Sequence, residues 1–141
     1  MTSPLQRIKA GIIDGRCRTP RYIQKQLLIL HDALAYATPS FHEAIISDTE
    51  CSSAEAWFEI HMTLHAVKQQ YGSINFDDCL QQEYSIVKGK DNASRRLPFG
   101  CVYILPSQHS RLYSVIQPSA AAIAAGNCVV IEVSLDLDCQ C

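Results

Sequence analysis

Residues 100–133 read GCVYILPSQHSRLYSVIQPSAAAIAAGNCVVIEV, and the succession of patterns in this stretch decides the fold class. Residues 100–105 (GCVYIL) form a short run of apolar, β-branched and aromatic side chains, which predicts a strand buried on both faces. Residues 114–125 are rich in alanine, with Ile116 and Ile123 along their length, and predict a helix that packs closely on a sheet. Pro118 is then expected within the first turns, where proline is best tolerated. Gly126-Asn127 supplies a left-handed helix stop, and residues 128–133 form a second apolar strand. Strand, helix, strand within ~30 residues is a βαβ unit, with parallel strands and a right-handed crossover.

Upstream, the pattern turns helical. Ile23, Leu27, Leu30 and Leu34 recur at three- and four-residue steps across residues 22–37, which puts them on one helix face. Thr19-Pro20 is a start signal, with the threonine oxygen as cap and proline at the first helical position. Gly11 and Gly15 set off a shorter helix over residues 4–10, and Thr38-Pro39 is expected to end the long one. Ser40 is then a candidate cap for a short helix through Ile46. A further helix is expected over residues 53–71, capped by Ser52 or Ser53, with Ala56, Ile60, Leu64 and Val67 as its stripe and Gly72 as its stop. Glu55 is well placed near its positive end. After Ser73 the periodicity fades: residues 84–87 suggest a strand, and Gly89-Lys90-Asp91-Asn92 is turn chemistry. The fold class is therefore α/β. A helical region (1–72), a strand/loop linker (73–98), a βαβ unit (99–133) and a tail (134–141, SLDLDCQC) form one domain. The tail is either an edge strand or frayed.

The chain has 141 residues, 48% hydrophobic and 18% charged, a globular composition with room for a single core. A net charge of -2 creates no field that favours nucleic acid or anionic lipid. The local basic groups Arg16, Arg18 and Arg21, and Arg95 with Arg96, are accounted for by a solvated helix start and a solvated loop. The amino terminus lacks the apolar run of a signal peptide and the basic residues of a transit peptide. The longest apolar candidate, residues 120–131, is too short to span a bilayer and is broken by Gly126-Asn127. A cytoplasmic protein without a membrane span is expected. The seven cysteines (Cys17, Cys51, Cys79, Cys101, Cys128, Cys139 and Cys141) are scattered and odd in number, which argues against a disulfide framework. Most read as small buried apolar groups. Cys101 and Cys128 fall in strands expected to be buried, with no histidine or cation close in sequence to activate them. His61 and His65 share a helix face at a spacing that can bind zinc, with Glu59 and His42 as conceivable further ligands. Solvated helix histidines are the simpler account, and no metal is expected.

Residues 96–131 carry a resemblance. Pro98-Phe99-Gly100, the ungapped stretch from Gly100 to Pro118, and Ala122-Ile123-Ala124-Ala125-Gly126-Asn127 with Val129-Val130 resemble the start of the nucleotide-binding domain of the aldehyde dehydrogenases. Ile116-Gln117-Pro118 is most similar to the class 3, fatty-aldehyde branch. The resemblance covers residues 18–131, strongest in the last third. It implies a partial Rossmann-like unit, incomplete relative to the full aldehyde dehydrogenase fold. NAD(P) is the cofactor it implies.

The same resemblance places divergent residues at chemical positions. The family's asparagine, whose amide stabilises a developing oxyanion, is matched by His109 within Gln108-His109-Ser110-Arg111. The family's lysine that contacts the adenosine ribose is matched by Glu132, which repels phosphate. The nucleophilic cysteine, the general-base glutamate and the glycine motif beneath the pyrophosphate lie further along in the family than this sequence reaches. The resemblance thus implies a truncated pseudoenzyme or interaction module that binds no cofactor of its own. Its partners would be a second copy or a full-length relative, met through an open sheet edge. The alternative is an enzyme of altered chemistry. There His109 acts as acid or base, Arg111 holds an anionic or carbonyl group, and Tyr103 or Tyr113 adds a proton donor.

Overall fold

The computed structural model describes residues 4–90 and 97–132. The tail 134–141 with Cys139 and Cys141, Arg95-Arg96, and Asp91-Asn92 of the expected turn lie outside the described residues. In chain order the elements are α1 (Pro4–Asp14), a 3-10 turn (Arg16–Arg18), α2 (Pro20–Tyr36), α3 (Thr38–Thr49), α4 (Ser53–Gly72) and α5 (Phe76–Val87). These are followed by β1 (Cys101–Ile104), α6 (Arg111–Ala124) and β2 (Cys128–Ile131). The two strands pair in parallel, with Cys101 opposite Cys128 and Ile104 opposite Ile131. The α/β reading holds in its coarse form, with helices dominating.

The helix ends show how the sequence sets these boundaries. Ser52 caps α4 with a complete capping box: its hydroxyl accepts from the Glu55 amide, and the Glu55 carboxylate accepts from the Ser52 amide at 2.9 Å. Those bonds from the Ser52 backbone and hydroxyl hold the Glu55 carboxyl below its usual range. At the far end of α6, Gly126 adopts φ +79° and closes a Schellman turn. Its amide donates to the Ile123 carbonyl and that of Asn127 donates to the Ala122 carbonyl, both at 2.9 Å. The Asn127 Oδ1 then accepts from the Gly100 amide at 2.9 Å, fixing the start of β1 beside the start of β2.

Several expectations are corrected. Residues 84–87 are not a strand but the last turn of α5, so the expected linker carries a helix. The Asn75 side chain accepts from the Asp77 amide, and Asp77 with Asp78 complements the dipole, so the helix is nucleated ahead of the β-branched pair Ile86-Val87. Thr19 occupies the cap position of α2 without a side-chain cap bond. Thr38-Pro39 does not precede a new cap at Ser40. Only Ala37 interrupts the helices, Pro39 sits in the first turn of α3, and the Thr38 hydroxyl donates back to the Leu34 carbonyl at 3.1 Å. Nor does α1 stop at residue 10; it runs through Gly11 to Asp14, and Gly15 at φ +73° ends it. Because α6 starts at Arg111, Pro118 is interior to it rather than in its first turns. It therefore brings no amide for the Ser114 carbonyl. The β1 strand is not buried on both faces, for Cys101 and Tyr103 are exposed and only Ile104 is buried, because α6 covers a single face of a two-stranded sheet. Cys128 is half-buried, so neither strand cysteine is the deeply buried group expected.

The core sits where α2, α4 and α6 meet. Ile23, Leu27 and Leu34 from α2, Val67 from α4 and Ala120 from α6 are buried together, with Ile116, Ile123 and Leu64 packed around them. Ala120 has no exposed surface, and its methyl lets α6 approach the other two helices closely. This junction carries the loop between β1 and α6.

Candidate functional site

The loop that leaves β1 is shaped by its own serines. The Ser107 amide donates to the Ser114 hydroxyl at 3.2 Å, the His109 amide donates to the Ser107 hydroxyl at 3.2 Å, and the Ser114 hydroxyl donates to the Arg111 carbonyl. Ser110 precedes α6 at φ +48° and makes no side-chain cap bond. Its place as cap is taken from elsewhere in the chain: the Glu59 carboxylate, on α4, accepts the Tyr113 amide at 3.2 Å. A carboxylate there satisfies one of the free amides of α6 and complements the positive end of its dipole. Arg111 turns to Asp48 at the end of α3, at 3.4 Å, in a pair exposed on both sides.

These contacts enclose a cleft of about 660 Å³. One wall is the α4 face, with Glu55, Phe58, Glu59 and Met62; the other is His109, Ser110 and Tyr113; and Cys51 lies at the α3–α4 junction. Of the residues predicted from sequence, His109, Ser110 and Tyr113 meet here. Gln108 is exposed outside the lining, Arg111 is held by Asp48, and Tyr103 lies on the exposed strand face. Glu132 follows β2, exposed, with its amide donating to the Ile104 carbonyl at 3.1 Å. The cleft residues that sequence reading missed left a faint signal. Positions 55, 58, 59 and 62 share a helical face beside the buried stripe, and that face carries two acids and two large apolar groups.

His61 and His65 are exposed along an adjoining depression that shares Phe58 and Met62 with the cleft and is also lined by His31 and Lys68. The two ligands conceived for them are engaged elsewhere. Glu59 binds the Tyr113 amide, and His42 stacks on Trp57 at 4.8 Å between centroids and bonds Ser53 at 3.0 Å. Among the described residues no group of three histidine, cysteine, aspartate or glutamate side chains is arranged to hold a metal. No helix of the described residues is long and apolar enough to cross a membrane.

Comparison with known proteins bears on the loop and the βαβ unit together. The chain is distantly similar to aldehyde dehydrogenases. It is 29% identical over 142 residues to aldehyde dehydrogenase family 3 member B1 of Homo sapiens, an alignment covering 92% of this chain and 28% of that protein. The same protein of Bos taurus is 29% identical over 135 residues, with the same coverage. This chain thus spans about 28% of the length of the curated relatives it matches. No family model and no solved structure matches it. Both relatives bear the family 3 designation, in keeping with the class 3 resemblance carried by Ile116-Gln117-Pro118.

The Glu59 bond makes a measurable claim about the cleft. Glu59→Ala is expected to cost about 1 kcal/mol, the worth of a helix cap, because the Tyr113 amide loses its acceptor. Glu59→Gln keeps an acceptor oxygen and should retain most of that stability. Urea denaturation of the two variants checks this; equal losses would show that the charge, and not the bond, is what matters.

Proposed function

We propose that this chain is an aldehyde-dehydrogenase-like protein acting as an interaction module or pseudoenzyme, without NAD-dependent aldehyde oxidation of its own. Its β1–α6–β2 segment is, in this reading, the opening unit of a Rossmann-like fold. The observation that carries the reading is the Glu59 carboxylate seated on the Tyr113 amide, which fills the helix end where an anion would otherwise bind. Asp48 neutralises Arg111, the nearest loop cation, and Glu132 adds a further exposed carboxylate beyond β2. Acids around these strand ends do not suit the diphosphate of a dinucleotide, and no cofactor is assigned. The partner would be a second copy or a full-length relative, in the cytoplasm, pairing with the short sheet whose Tyr103 and Ile131 are exposed.

A second reading is favoured by one observation: His109, Glu59, Tyr113 and Cys51 line the same cleft. There His109 would act as acid or base in chemistry the relatives' names do not describe. Calorimetric titration with NAD, combined with a size measurement in solution, tests both. The expected result is a dimer or larger assembly with no nucleotide heat. NAD affinity with aldehyde turnover overturns the first reading. Any activity lost in His109→Ala while the assembly persists establishes the second.

A further inference from the structure

The cleft beside α4 is one-sided in charge. Glu55 and Glu59 line it, whereas no lysine or arginine among the described residues does. Arg111, the nearest loop cation, is held by Asp48, and Lys68 lines the adjoining depression instead. Each carboxylate uses one oxygen within the protein. Glu55 Oε2 accepts from the Ser52 amide and hydroxyl at 2.9 and 2.8 Å, and Glu59 Oε1 accepts from the Tyr113 amide at 3.2 Å. Among the described residues the second oxygen of each has no hydrogen-bond partner, and neither group is in an ion pair.

We propose that this cleft binds an apolar primary amine, whose ammonium bridges Glu55 and Glu59 while its hydrocarbon body covers Phe58 and Met62. The head group follows from spacing. Glu55 and Glu59 are four residues apart on α4, so their Cβ atoms stand roughly 5–6 Å apart, and two like charges so placed repel each other. One ammonium between them relieves that repulsion and brings three N–H donors to the two free oxygens. The imidazole of His109, on the facing wall, offers a further acceptor when neutral.

The body follows from what the fold leaves in water. Phe58 is 68% exposed and Met62 40%, and both line the cleft on the same helix as the carboxylates. A cleft of about 660 Å³ falls within the range of small-molecule sites, roughly 300–1,000 Å³. Covering Phe58 and Met62 supplies affinity common to any apolar ligand, and the carboxylates select its charge. An anionic head group would face two carboxylates with no lining lysine or arginine to offset them. Amine binding of this kind requires neither a nucleotide nor association through the sheet.

The test follows backbone amide resonances of the isotope-labelled full chain by NMR, near neutral pH, as octylamine, octanol or octanoate is added. Octylamine is expected to shift the Ser110 and Tyr113 amides saturably and to bind roughly tenfold more tightly than octanol, with octanoate weaker still. Glu59→Gln keeps an acceptor for the Tyr113 amide but loses the charge. It should weaken octylamine by roughly tenfold and leave octanol unchanged. Phe58→Ala, at an exposed position, should weaken both together. Octanoate binding as tightly as octylamine overturns the proposal. So does an octylamine affinity unchanged in Glu59→Gln, a shift confined to the sheet, or no saturable shift at all. Should Glu59→Gln fail to fold, the ranking of the three probes on the unsubstituted chain decides by itself.

Discussion

Gly126→Ala is expected to destabilise the fold by about 3 kcal/mol or more, from two separate causes. The residue sits at φ +79°, where an L side chain costs roughly 1–2 kcal/mol. The added methyl would also stand 2.8 Å from the Cys17 carbonyl oxygen, a backbone atom that cannot swing away as a flexible side chain would. Relief requires the 3-10 turn to back off or the Schellman turn to open, and opening it shifts Asn127 from the Gly100 amide. Gly15→Ala is the internal control. Its φ of +73° is equally unfavourable to alanine, yet nothing lies within 4 Å of its Cβ position. Urea unfolding should therefore show a drop for Gly15→Ala of about 1 kcal/mol, the conformational cost alone. The excess in Gly126→Ala measures the clash. Equal losses would mean that the turn and the sheet are not in the contact described.

That glycine was legible in the sequence because its signal is local. An alanine-rich helix followed by Gly-Asn and an apolar run needs no knowledge of the rest of the chain to predict a left-handed stop. The α2 stripe and the Ser52 start of α4 were legible for the same reason. The failures share the opposite property. Residues 84–87 have strand-like composition, but the helix that absorbs them is nucleated at Asn75, nine residues before Tyr84. Burial of β1 was overestimated because an apolar run reports what a strand tolerates, not how many layers the fold sets against it. In the cleft, His109 and Tyr113 could be named from the loop, whereas Glu59 could not. Its role as the cap of α6 spans 54 residues of sequence and arises because Ser110, the residue in the capping position, is turned left-handed and cannot perform it.

Leu27→Ala is expected to cost roughly 2–5 kcal/mol, the range for emptying a fully buried leucine site. Leu27 has no exposed surface and lies in the cluster shared by α2, α4 and α6, so the space left behind is bounded by three helices rather than by one movable side chain. Collapse into it would require α6 to shift toward α2, and α6 is held at its start by Glu59 and at its end by the Gly126 turn. Relief is therefore limited, and the upper part of the range is expected. Leu28→Ala, one residue away and 49% exposed, should change stability by about 0.5 kcal/mol or less. The pair separates burial from helix propensity, which the two substitutions share. Because the same junction supports the β1–α6 loop, hydrogen exchange in the first turn of α6 should accelerate in Leu27→Ala and not in Leu28→Ala. An α6 start that stays protected while global stability falls would show that the cleft is held by Glu59 and Arg111 alone, independently of the core beneath it.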